Sequence, residues 1–313
     1  LKEVTFEVYA LEDIKAADGE SEDYYKKDDL IATITTDETG VAKLTDLPLG
    51  KYYVKEKETA NGYVLDGTAR EIDLTYRDQD TAEVTYSSDW QNNRQKAEVK
   101  VLKKEKDSDR VLEGAVFALC NKEDIVNANG DVILKADTVI EEQATDKEGK
   151  LTFTADLPIG YTYYVKETSP APGFATTDQV QEFTFEYDGA DKETLSYEFT
   201  FEDEPTVVEI TKTSLTDGKE LEGAKLEVTD EDGKVVDSWT SGKEAHIIKE
   251  LVAGKKYTLT ETKPADGYVT AESITFTVED SSKAQKIEMK DDVTKVEISK
   301  TDISGKELPG AKL

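Results

Sequence analysis

Three lysines, three glutamates and three Asn/Asp residues recur in one order along this 313-residue sequence, and together they could make an amide bond. In Val99-Lys100-Val101-Leu102-Lys103, alternation along an extended chain puts Lys103 on the side of Val99 and Val101. Lys212 shares a side with Val208 and Ile210, and Lys300 with Val296 and Ile298. Glu56 is in phase with Tyr52 and Val54, Glu167 with Tyr163 and Val165, and Glu261 with Tyr257 and Leu259. Asn92, Asp203 and Asp291 fall in phase with Val84/Tyr86, Tyr197/Phe199 and Ile287.

Lysines and glutamates on acidic strands ordinarily face water. Agreement of phase and order in three copies favours the inward side instead. A buried amine and a buried carboxylate are both costly as ions, so burial favours their neutral forms. A neutral amine is a nucleophile. A protonated glutamate would polarise the Asn/Asp carbonyl and carry the proton away. The product is an amide cross-link, with loss of ammonia from Asn or of water from Asp. Lys104, Asn93 and Asp292 are the neighbouring rivals to Lys103, Asn92 and Asp291; phase favours the latter three.

The elements that must hold these residues are strands. Leu195, Tyr197, Phe199 and Phe201, or Ile274, Phe276 and Val278, alternate with polar residues, as strands with one wet face do. Asp37-Glu38-Thr39-Gly40, Asp146-Lys147-Glu148-Gly149 and Asp230-Glu231-Asp232-Gly233 read as hairpin turns. Hardly any stretch has helical periodicity, and the predicted fold class is all-β.

Repeats organise the chain. Leu112-Glu113-Gly114-Ala115 and Leu221-Glu222-Gly223-Ala224 match each other and the segment from Leu1; a fourth copy starts at Leu308-Pro309-Gly310-Ala311. Tyr-x-aliphatic-x-Glu is followed at constant spacing by Gly62-Tyr63, Gly173-Phe174 and Gly267-Tyr268. Periods of about 100 residues mean tandem domains rather than a solenoid. The expected units are 1–96, lacking its lysine strand; 97–205; a shorter 206–293; and 294–313, the first strand of a truncated further repeat. Glu56 and Asn92, like Lys300, therefore have no complete set of partners within these residues. Short links between acceptor and next lysine, one of them carrying Pro205, predict a rod with limited hinging.

Composition removes other classes. A net charge of −30 is wrong for holding nucleic-acid backbones. One cysteine allows no internal disulfide, and one histidine offers little for a triad or zinc site. No apolar run approaches the ~20 residues of a membrane span. Asp230-x-Asp232-Gly233 resembles part of a calcium loop but lacks its downstream glutamate. His246 reads as an ordinary strand residue and Cys120 as an unpaired strand thiol. No cofactor or metal is implied, and no constellation for an external substrate appears. With no initiator Met and no leader pattern, the sequence reads as an interior window of a longer chain.

The lysine strand, Leu-x-Gly-Ala, Tyr-x-Val-x-Glu-Thr, the following Gly-aromatic pair and the terminal Asn/Asp strand resemble the CnaB-like (SpaA-type) domains of Gram-positive surface proteins and pilins. The resemblance covers essentially the whole chain. It implies tandem inverse-immunoglobulin, prealbumin-like β-sandwiches carrying autocatalytic Lys–Asn/Asp isopeptide bonds assisted by Glu. Carried over by position, it links Lys103 to Asp203 through Glu167, and Lys212 to Asp291 through Glu261. It further implies an extracellular, wall-attached adhesin stalk whose immediate partners are neighbouring repeats. A pilus shaft subunit, or a module gripping a host protein or glycan, are the alternatives; Trp90 and Trp239 do not obviously form the aromatic cluster that the last would need.

Overall fold

The computed structural model describes residues 1–16, 18–81, 83–310 and 312. Ala311 of the fourth Leu-x-Gly-Ala anchor, and Leu313 at the end of the 294–313 unit, lie outside the described residues. No α-helix occurs among the described residues, and none of the chain there is a helix long and apolar enough to cross a membrane.

Repeat one forms β1 (Thr5–Ala10), β2 (Leu30–Thr35), β3 (Lys51–Glu58) and β4 (Arg70–Asp73), in one sheet of order β2-β1-β3-β4. Repeat two forms β5 (Lys96–Glu105), β6 (Val116–Asn121), β7 (Ile125–Val126), β8 (Val132–Leu134), β9 (Val139–Ala144), β10 (Lys150–Phe153), β11 (Tyr161–Ser169), β12 (Val180–Phe185) and β13 (Thr194–Asp203). Its two main sheets run β10-β5-β13 and β12-β11-β6-β9, with β7-β8 a small separate hairpin. Repeat three forms β14 (Val207–Ser214), β15 (Lys225–Thr229), β16 (Val235–Thr240), β17 (His246–Lys249), β18 (Lys256–Lys263), β19 (Ile274–Thr277) and β20 (Gln285–Asp291). Its sheets are β17-β14-β20 and β16-β15-β18-β19, the same plan.

The first and last strands of a repeat lie side by side and parallel, β5 with β13 and β14 with β20; every other pairing is antiparallel. Parallel neighbours cannot be joined by a tight turn, so the whole repeat lies between them. The lysine strand is also the centre of its sheet. Its inward face meets the core of the opposite sheet, where Phe117 and Phe185 are fully buried, as is Phe201 on the neighbouring β13. Each such side chain contributes about 1.5–3 kcal/mol by leaving water. In repeat three, Val208, Leu226, Leu259 and Met289 make the equivalent core.

That central role explains where strand expectations fail. In repeat one, residues 83–93 form no strand, although Asn92 was expected to end one. In repeats two and three the ladder partner of the equivalent segment is the lysine strand, and none of the described residues takes that place here. Residues 41–44, corresponding to β10, likewise have no ladder. Val296–Lys300, read as a first strand with Lys300 inward, is not a strand either. Val296 and Ile298 are 86% and 68% exposed, and Lys300 is exposed. A strand without a sheet to join leaves its amides to water.

The turns also divide. Asp230–Gly233 closes a true hairpin between β15 and β16. Asp146–Gly149 has the same tight geometry but carries the chain from β9 in one sheet to β10 in the other, and it is not a hairpin. Gly149 (φ +70°) packs there against the backbone of the lysine strand: the Lys103 amide donates to its carbonyl at 2.7 Å, and a Cβ would lie 2.6 Å from Lys103 O. Asp230 Oδ1 accepts from the amides of Asp232 and Lys234, so this carboxylate caps its own turn.

Candidate functional site

Burial separates a few charges from the many. Among the described residues, the buried lysines are Lys103 and Lys212, and the buried acids are Glu56, Glu167, Asp203, Glu261 and Asp291. All seven are residues that strand phase placed inward. The rivals Lys104, Asn93 and Asp292 point away from the core, with Lys104 3.5 Å from Glu202 at the surface.

In repeat two, Lys103 Nζ lies 2.9 Å from Glu167 Oε1 and in direct contact with Asp203 Oδ1. The Phe117 ring faces the amine with its centroid at 5.5 Å. In repeat three, Lys212 Nζ lies 3.0 Å from Glu261 Oε1 and touches Asp291 Oδ1. Parallel register sets this up: Lys103 sits opposite Phe201, and Lys212 opposite Met289, two residues before each aspartate. The glutamate arrives from the facing sheet. A bulge just after it, skipping Thr168 in β11 and Thr262 in β18, aims it at the amine; β3 carries the same bulge after Glu56.

The second oxygen of each glutamate is held by a backbone amide ten residues on. Glu167 Oε2 accepts from Thr177 N at 2.8 Å, Glu261 Oε2 from Ala271 N at 2.8 Å, and Glu56 Oε2 from Asp66 N at 2.6 Å. No side-chain pattern marks these donors, because Thr, Ala and Asp share no side-chain chemistry. The constant interval after Gly173, Gly267 and Gly62 is the trace they leave. Those glycines have φ of +90°, +88° and +88°, the left-handed turn that brings the following segment over the site.

Burial, opposed by Thr177 N–H and Lys103, raises the Glu167 pKa to about 7. Burial also raises Asp203 and Asp291, against the pull of their lysines. Asp203 Oδ2 and Asp291 Oδ2 are buried without a hydrogen-bond partner, which is where a carboxyl proton would sit. One amine and two carboxyls with one proton to spare are electrically neutral together. This is the composition from which an amide and water can form.

In repeat one, Asn92 Nδ2 donates to both oxygens of Glu56 and to Val64 O, and no lysine among the described residues pairs with Glu56. Lys300 is exposed and makes no contact with a buried glutamate or Asn/Asp among the described residues.

The chain belongs to the SpaA prealbumin-like fold domain family. The family model described by that name matches residues 1–90, 97–199 and 206–293. The chain is thus a tandem array of prealbumin-like β-sandwich domains. Among solved structures, the Bacillus anthracis TIE protein is 26% identical with a TM-score of 0.56, over 93% of this chain and 48% of that one. The chain therefore spans about half the length of that protein. BcpA, the major pilin subunit of Bacillus cereus, is 16% identical with a TM-score of 0.44, covering 94% of this chain and 95% of its own. The shaft pilin SpaA from Lactobacillus rhamnosus GG is 17% identical with a TM-score of 0.29, over 65% and 100%. No curated protein matches the sequence.

Other singled-out residues have ordinary surroundings for these domains, with one exception. Cys120 is a buried free thiol. Trp90 packs edge-on to Phe6 beneath the Arg70 guanidinium, far along the chain from Trp239. His246, read as unremarkable, stacks on Trp239 with ring centroids 4.1 Å apart and bonds Asp237 at 2.8 Å. Its carboxylate partner is nine positions away on another strand, outside any local motif.

Proposed function

We propose that this chain is a load-bearing stalk segment of a secreted, Gram-positive wall-attached surface protein, stiffened by self-made Lys103–Asp203 and Lys212–Asp291 isopeptide bonds. The observation that carries this reading is the pair of solvent-free Lys/Glu/Asp triads joining the first and last strands of repeats two and three.

The chemistry balances within the triad. Glu167 takes a proton from the Lys103 ammonium, leaving a neutral amine 2.9 Å away. The amine attacks Cγ of protonated Asp203, whose carbonyl is polarised by the newly protonated Glu167. The C–N bond forms, the C–OH bond breaks, and Glu167 relays the amine's second proton to the departing hydroxyl as water. Glu261 has the same part between Lys212 and Asp291. The chain acts on itself only, so it is not an enzyme in the turnover sense.

Such bonds suit a stalk because of where they lie. Tension entering along β5 and leaving along β13 passes through the cross-link, and the 100-residue separation between Lys103 and Asp203 is never loaded. Neighbouring repeats are the immediate partners: Arg110 grips Glu250 through two bonds of 2.6 and 2.9 Å, and Gln95 is buried against Gly189 and Lys192 of the next repeat. Single-molecule pulling tests the proposal. Repeats two and three should give no unfolding step, and Lys103→Met should add one of about 35 nm, roughly 3.5 Å for each released residue. A wild-type trace with both unfolding steps overturns it.

A further inference from the structure

Each glutamate is capped by a three-residue strap, and in repeats one and two its successive amides go to three different places. In repeat one, Val64 N donates to Asn93 O of the outgoing linker, Leu65 N to Ala190 O, and Asp66 N to Glu56. In repeat two, Ala175 N donates to Glu204 O of the linker, Thr176 N to Asp280 Oδ1, and Thr177 N to Glu167. The first amide ties the strap to its own linker and the third holds the cross-linking glutamate. The middle one reaches into the following repeat.

The downstream acceptors are equivalent in the fold. Ala190 lies in the loop between β12 and β13, and Asp280 in the loop between β19 and β20, so each comes from the segment joining the last two strands of the next domain. Asp280 grips harder than a single carbonyl: it takes Thr176 N at 2.8 Å and Thr176 Oγ1 at 2.7 Å. In repeat three, Val269 N donates to Asp292 O and Ala271 N to Glu261, while the intervening Thr270 is exposed.

We infer that Asp280 of repeat three is a positioning residue for cross-linking in repeat two: by clamping Thr176 it fixes the strap that orients Glu167, so that bond formation in one repeat is coupled to docking of the next. The site within a repeat holds all the reacting groups, but a glutamate free to swing misses the near-attack geometry that a solvent-free site needs. The neighbour supplies that restraint at Thr176, one residue before the amide that holds Glu167. The Asp280 charge also disfavours ionisation of Asp203, in the direction the reaction requires. The inference rests on the cross-linking chemistry proposed above, and repeat three provides the means to separate the two.

The test uses the full chain refolded from denaturant, sampled over time, with each bond followed by its own cross-linked peptide in mass spectrometry. Asp280→Ala should slow formation of the Lys103–Asp203 bond about tenfold and leave the Lys212–Asp291 bond at its wild-type rate. Asp280→Asn keeps an acceptor for Thr176 N–H and should restore most of the rate. Equal rates for the wild type and Asp280→Ala overturn the inference. So does equal slowing of both bonds, which would mean that Asp280 acts through the folding of its own repeat. If neither bond forms in the wild type, the cross-linking chemistry itself fails. Amide exchange at Thr177 then decides the coupling: loss of protection in Asp280→Ala upholds the clamp, and unchanged protection overturns it.

Discussion

Asn92 donates to both carboxylate oxygens of Glu56, at 2.8 and 2.7 Å, at a site that no lysine among the described residues enters. Repeat one thus displays the acceptor half of the triad by itself, with the glutamate already held by its strap amide at 2.6 Å. Repeats two and three show what the lysine strand adds: a sheet centre, a parallel partner for the last strand, and the amine.

This difference predicts the mass of the folded chain. Two waters should be missing, one each for Asp203 and Asp291, and no ammonia should be lost, because Asn92 lacks a lysine. Intact mass under denaturing conditions measures both. An unchanged mass would sink both cross-links together. Ammonia loss would mean that Asn92 had met a lysine from elsewhere, with Lys300 of a second copy the one to map first.

Removing the proton carrier should act one repeat at a time. Glu167→Ala leaves Lys103 facing Asp203 without a base and frees the Thr177 amide, so one water's mass should return. Glu261→Ala should return the other. Glu56→Ala should leave the mass correction untouched, since its site has nothing to join. The three variants form an internal comparison, and a loss of both bonds in either single variant would contradict independent sites.

Stability should follow the same map. The cross-links close separations of 100 and 79 residues, and by analogy with disulfides each would stabilise its domain by about 4–5 kcal/mol through the unfolded state. Lys103→Met removes the link but keeps an apolar stem in the core. We expect denaturant unfolding of repeat two to weaken by about 4 kcal/mol, with repeat three unchanged. Because a multidomain chain has no single unfolding free energy, the measurement must be resolved by repeat, as in exchange mass spectrometry. A shift below about 1 kcal/mol would mean that the bond had not formed or that closure contributes little.

Much of this site was legible in the sequence because period-two phase is a strong signal when one face is dry. Lys103, Glu167 and Asp203 stand with Val101, Val165 and Phe201, and all are buried as that phase requires. Phase says nothing about whether a strand has a neighbour. Val296–Lys300 has the same pattern as Val208–Lys212 yet forms no strand, because hydrogen-bonded ladders are made with partners. The strap was hidden for another reason: Thr177, Ala271 and Asp66 act through main-chain amides that every residue but proline carries. The sheet change after Asp146 was equally hidden, since a tight turn looks the same whichever sheet receives the next strand.

Acidity gives the last prediction, because the reactive triad must be neutral overall. Glu167 ionises in its buried site only near pH 7, against about 4.5 when exposed. Below 7 the triad of the uncross-linked form keeps one carboxyl proton, shared between Glu167 and Asp203 and resting on Asp203 while Glu167 takes the ammonium proton; above it, that shared proton is lost and the site becomes a net anion. The rate of Lys103–Asp203 bond formation after refolding should therefore be level on the acid side of about 7 and fall on the alkaline side. The stability of the uncross-linked precursor should move in the same sense. A raised carboxyl pKa contributes stability that is complete below the unfolded value and is lost as pH rises through the folded one. Once the amide exists, Lys103 and Asp203 no longer titrate, and this contribution should shrink to that of Glu167 alone. Stopped refolding at a series of pH values, with the bond quantified by its cross-linked peptide, measures the first effect. A rate that climbs steadily through pH 8 would mean that amine deprotonation by solvent, not Glu167, limits the reaction.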